Sequence, residues 1–254
     1  MIFILVRIFP FLIPILYGIL LKIIFVLNGQ IVWPLVVILI INFLYFLFIF
    51  LKKSKGEIFI FLLHSSILVL TGFSYILILN GELFINLFLV VWVLLYFLYL
   101  ESIFHHFYET KKVLLLDLKN IIAYINLIAL FFLSASLINF YIFINFSIWL
   151  IFVLIALIVF LLAISQLRVN NILGKKSLVY SLILSLIIIE VLSAVLFLSV
   201  SFYVSAIMLT VLYYLLSSLL VLNAKGNLTK NIVWQYIGFS LIVIFIIAIT
   251  SQWL

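Results

Sequence analysis

Apolar residues come in long unbroken runs separated by short polar breaks, and no stretch alternates with a period of two. Nine runs approach the ~20 residues that an α-helix needs to cross roughly 30 Å of hydrocarbon. They are Ile2–Leu27, Ile31–Leu51, Ile58–Leu79, Leu83–Phe104, Ile121–Phe140, Ile142–Leu167, Leu178–Ser199, Phe202–Leu222 and Ile232–Trp253. Barrel strands would need a polar lumen-facing residue at every second position, and the runs have none. The pattern therefore predicts an all-α, polytopic transmembrane helix bundle of about nine spans, eight if the first is lost. Residues 1–254 read as a single integral membrane domain with no soluble domain. The first run lacks a basic leader and a small-residue cleavage site, so it reads as a retained helix rather than a signal peptide.

Composition sharpens this picture. Hydrophobic residues make up 70% of the chain and charged residues 7%, against roughly 45–50% and 25% in a soluble domain. A water-soluble fold could not cover itself with so few polar side chains. There is no Cys, which removes disulfides, thiolate nucleophiles and Cys-based metal sites. No cofactor is implied.

The net charge of +7 belongs to the breaks between runs. All the Lys and Arg except Arg7 and Lys22 fall in alternate breaks: Lys52, Lys53 and Lys55; Lys111, Lys112 and Lys119; Arg168, Lys175 and Lys176; Lys225 and Lys230. The intervening breaks carry only Glu82. The positive-inside bias then puts the Lys-bearing loops and the N-terminus in the cytoplasm and the C-terminus outside, in the cell membrane. Anionic headgroups account for the basic residues, so the lipid bilayer is the expected partner and nucleic acid is not.

An ionisable group inside hydrocarbon costs roughly 2.5–3.5 kcal/mol on insertion scales, which makes each one a candidate. Glu190 lies deep in the seventh run. It reads either as a proton- or cation-carrying carboxyl or as a neutral acid bonded to Thr210, Tyr213 or Tyr214. The fourth run ends with Glu101, His105, His106, Tyr108 and Glu109, with Glu101, His105 and Tyr108 on one helical stripe. His64 enters from the third run. His64, Glu101, His105 and Glu109 are weak candidates for a metal set, although a solvated ion-pair cluster fits them better. Arg7 shares the first run with Pro10, Pro14 and Lys22 and reads as a snorkelling anchor on a kinked helix. Ser177, Ser181 and Ser185 form a small-residue stripe for helix packing, inside the chain or against a membrane partner, about 140° from Glu190.

Three functions are compatible with these residues. An embedded subunit or scaffold of a membrane assembly fits the lack of extramembrane domains best. A transporter or channel-like protein would use Glu190 as its coupling carboxyl. A membrane enzyme acting on lipid at the cytoplasmic face would use His64, Glu101, His105 and His106.

Overall fold

Backbone amides in lipid have no water to bond, so each apolar run must satisfy its own hydrogen bonds, and an α-helix does this within one segment. In a computed structural model of the chain the runs are helices: α1 (Ile2–Val26), α2 (Val32–Phe50), α3 (Lys55–Ile76), α4 (Glu82–Tyr108), α5 (Leu118–Ile144), α6 (Ile148–Val169), α7 (Lys175–Leu196), α8 (Phe202–Ala224) and α9 (Lys230–Thr250). The structure describes residues 2–26, 32–50, 55–108, 117–198 and 200–250. Lys52, Lys53, Glu109, Lys111 and Lys112 lie outside them. Within the described residues, eight helices, α2 to α9, are long and apolar enough to cross a membrane. Leu87, Val90 and Leu94 on α4 and Phe239, Ile242 and Phe245 on α9 stand exposed. So much apolar surface is stable only against lipid. The chain is a polytopic membrane protein.

Helix contacts cluster in two compact units, Met1–Ile125 and Asn126–Leu254, divided within α5. In the first unit α1 packs on α2 and α4, α2 on α3, and α3 on α4. The α3–α4 turn is made by Gly81, whose φ of +94° is open to glycine but strained for other residues. Two further glycines permit close approach. A Cβ on Gly72 would strike the Trp92 indole nitrogen and the Tyr17 hydroxyl, and one on Gly18 would strike Val93. Helix α1 runs unbroken through Pro10 and Pro14, both buried.

In the second unit α6 packs on α7, α7 on α8 and α8 on α9. The sequence placed the start of the sixth span at Ile142, but α5 continues to Ile144 and α6 begins at Ile148. The reason is local. Asn145 turns left-handed (φ +56°) and Ser147 takes a non-helical ψ of 126°, so the break sits on Asn145-Phe146-Ser147. Asn accepts that conformation at less strain than the Phe and Ile residues before it. Ser177, Ser181 and Ser185 are all buried within the chain. That stripe packs inside the chain, with Ser185 also lining a groove between α6 and α7.

Candidate functional site

Polar side chains inside the first unit come together where α1 begins and α4 ends. The Arg7 guanidinium lies 2.5 Å from Glu101 Oε1, and His105 Nε2, one turn along α4, lies 3.1 Å from the same oxygen. Arg7 also sits over the Phe104 ring, 4.8 Å from its centroid. The carboxylate is buried while Arg7 stays 39% exposed. Arg7 is therefore more than the snorkelling anchor its position implied, because its head group compensates a buried acid. Antiparallel packing of α1 on α4 brings residue 7 to the level of residue 101.

Deeper in the same unit, Ser65 Oγ donates to Asn42 Oδ1 at 2.8 Å and lies 3.0 Å from the Tyr96 hydroxyl. Tyr96 in turn donates to Asn42 Oδ1 at 3.1 Å. Tyr17, above them, donates to the Val69 carbonyl. Sequence reasoning noted Ser65 beside His64 but missed Asn42 and Tyr96 because it searched for ionisable groups. The signal was there, since Asn42 is an amide in the middle of an otherwise apolar run.

Of the four residues weighed as a metal set, Glu109 lies outside the described residues. Among the described residues no three His, Asp or Glu side chains converge. His64 is buried with its ring 4.9 Å from Tyr99. His106 is exposed and faces Phe61 edge-on at 6.1 Å, since consecutive helical residues point about 100° apart. Within the group, Glu101 and His105 meet.

The second unit has a buried polar knot of its own. Asn126 Nδ2 lies 2.9 Å from the Leu162 carbonyl, 3.5 Å from Gln166 Oε1 and 3.4 Å from the Tyr213 hydroxyl. Tyr213 donates to Gln166 Oε1 at 3.2 Å. Helices α5, α6 and α8 are thus tied by side chains that satisfy one another. Tyr213 was expected from sequence as a donor to Glu190, whereas Asn126 and Gln166 were missed for the same reason as Asn42.

Glu190 takes no part in that knot. Thr210 bonds the Ala206 carbonyl and Tyr213 bonds Gln166, so those two expected donors are engaged elsewhere. The Glu190 side chain is exposed and has no hydrogen bond among the described residues. It continues the outward stripe of Leu182 and Leu186, eight and four residues before it. The buried serines of α7 face the other way, as the helical spacing predicts.

Residues 117–250, more than half of the chain, match a family described as a protein of unknown function, DUF5656. The chain belongs to this family. The DUF5656 part spans α5 to α9 and so includes the Asn126–Gln166–Tyr213 knot and Glu190. Arg7, Asn42, His64, Glu101 and His105 lie outside it. No curated protein and no solved structure matches the chain.

Proposed function

We propose that this protein is an embedded subunit of a membrane assembly, and that a partner helix docks on the α7 face bearing Glu190. The observation that carries the reading is that Glu190 is exposed among Leu182, Leu186 and other lipid-facing side chains. It lies ~9 Å from the α7 C-terminus and ~22 Å from its N-terminus, well inside the hydrocarbon. A carboxyl left there against lipid costs roughly 2.5–3.5 kcal/mol on insertion scales. A donor supplied by a partner removes that cost. An apolar groove between α6 and α7, lined by Phe152, Ala156, Leu157, Phe160, Leu182 and Ile189, reaches the residue next to Glu190. Such a groove suits a helix carrying Lys, Arg or an amide at matching depth.

A second copy of this chain fits less well. A two-fold contact on this face would bring Glu190 against Glu190, and like charges repel. Coupling in a transporter also fits less well, because an outward carboxyl lines no path through its own unit. The cytoplasmic placement of the Lys-bearing loops and N-terminus, in the cell membrane, belongs to the same reading. It is supported by the positive-inside bias and by the Arg7–Glu101 pair, which sets the start of α1 beside the end of α4.

The test is native mass spectrometry of the tagged chain extracted in mild detergent. The expected result is a stoichiometric heteromeric partner that is lost from Glu190→Leu while the variant still inserts and folds. A lone chain or a homo-oligomer in the wild type would contradict the reading.

A further inference from the structure

Among the buried polar atoms with no hydrogen-bond partner among the described residues are Arg168 Nε and Ser240 Oγ in the second unit and, in the first, Glu101 Oε2, the Tyr45 hydroxyl and Asn42 Nδ2. The last three residues are 5%, 1% and 0% exposed. Buried polar atoms in folded proteins are rarely left unmade, because each costs about 1–3 kcal/mol. One orphan would be a local imperfection. Three in one region call for a common explanation.

They lie in one neighbourhood. Asn42 and Tyr45 are three residues apart on the buried face of α2, flanked on that face by Ile38 and Ile49. The Tyr45 ring packs edge-on against Phe9 of α1 at 5.9 Å, two residues from Arg7, which holds Glu101. Tyr96 in turn holds Asn42 Oδ1. The line from Glu101 through Tyr45 to Asn42 therefore runs from ~8 to ~12 Å inside the Lys-bearing end of α2. Its chemistry is mixed, with an acceptor at Glu101, a hydroxyl that does both at Tyr45, and two unused N–H donors on Asn42.

We propose that this interior is a hydrated site, in which water bridges the Glu101 carboxylate, the Tyr45 hydroxyl and the Asn42 amide. Water matches the set because it donates to the carboxylate and accepts from the amide and phenol. Buried waters typically make about three such bonds. An apolar ligand would satisfy none of these atoms. Arg7, partly exposed beside Glu101 at the head of the line, marks where water would enter from the Lys-bearing end. The second unit offers the internal control, since Asn126 has three oxygens within 3.5 Å and no need of water.

The experiment is water-edited solid-state NMR on the full chain in phospholipid bilayers, with 15N-labelled asparagine. The Asn42 side-chain amide is identified by its loss in Asn42→Ala, and that of Asn126 by its loss in Asn126→Ala. The Asn42 signal is expected to build up from water at the rate of the exposed loop asparagines, and the Asn126 signal to lag behind. Build-up at Asn42 as slow as at Asn126 would overturn the proposal. A second measurement uses the absence of Cys and does not depend on the alanine variants. Tyr45→Cys is expected to react with a small water-soluble methanethiosulfonate about tenfold or more faster than Ile38→Cys, because only the thiolate reacts and it forms only in water. Equal rates at these two buried positions of one helix face would also overturn it.

Discussion

In the second unit the Asn126 amide is surrounded by oxygens of Leu162, Gln166 and Tyr213, whereas in the first the Asn42 amide nitrogen meets no protein acceptor among the described residues. Charge divides the same way. The first unit turns a carboxylate inward and compensates it with Arg7, and the second turns its membrane-depth carboxylate, Glu190, outward. Both units are built from helices of similar length and apolarity. The difference teaches that a polar residue in a membrane span has no fixed meaning. A closed knot is structure, an open set inside points to water, and an open acid outside points to a neighbour.

Substitutions can break or sharpen this contrast. The largest effect is expected for Arg7→Ala, which strands the buried Glu101 carboxylate. The expected loss is about 3 kcal/mol, at the low end for a broken buried pair because Arg7 is itself partly exposed. Arg7→Ala combined with Glu101→Leu should recover most of it, read by thermal or steric-trap unfolding in detergent. If the single variant melted like the wild type, the pair would have no structural weight.

Next in size is Gly72→Ala, whose added methyl meets Trp92 and Tyr17. Overpacking of this kind costs roughly 1–3 kcal/mol. Gly238→Ala in α9 of the second unit meets nothing within 4 Å, so its stability should hold or rise, by up to about 1 kcal/mol, as a helix-interior glycine becomes alanine. The same melts compare the two, and equal shifts would mean that α1, α3 and α4 are not tightly apposed at Gly72.

The smallest pair is also the most discriminating. Asn126→Leu should cost about 1 kcal/mol, within the range of hydrogen bonds between membrane helices. Asn42→Leu should cost less, because it also removes an amide nitrogen that no protein atom was satisfying. A reversal of that order would show the first interior to be the better satisfied of the two.

Much of the fold was legible because a bilayer imposes one length scale on every span. Helix number and order followed from apolar runs; several helix ends lie a few residues from the limits of their runs, and the α5–α6 break moved to where Asn145 turns left-handed rather than continuing a helix. The direction of Glu190 relative to the serine stripe followed from 100° per residue. The Arg7–Glu101 pair was within reach, since both residues fall at the same end of their spans once the topology is drawn. Distance in sequence hid it. The buried amides and phenols were hidden differently. Asn42, Asn126, Gln166 and Tyr213 lower the hydropathy of their runs only slightly, and which of them close on one another depends on helix rotation, which the apolar pattern leaves loose.

The outward face of α7 is where a partner would show itself. A photo-crosslinking residue placed at Leu186, in cells, can be compared with one at Leu94 on α4, since the two positions are exposed to a similar degree, 59% and 55%. The expected result is one defined adduct from position 186, to a membrane segment carrying a Lys, Arg or amide, and its loss when Glu190→Leu is added. Lipid adducts alone from both positions, or a protein adduct indifferent to Glu190, would contradict the subunit reading.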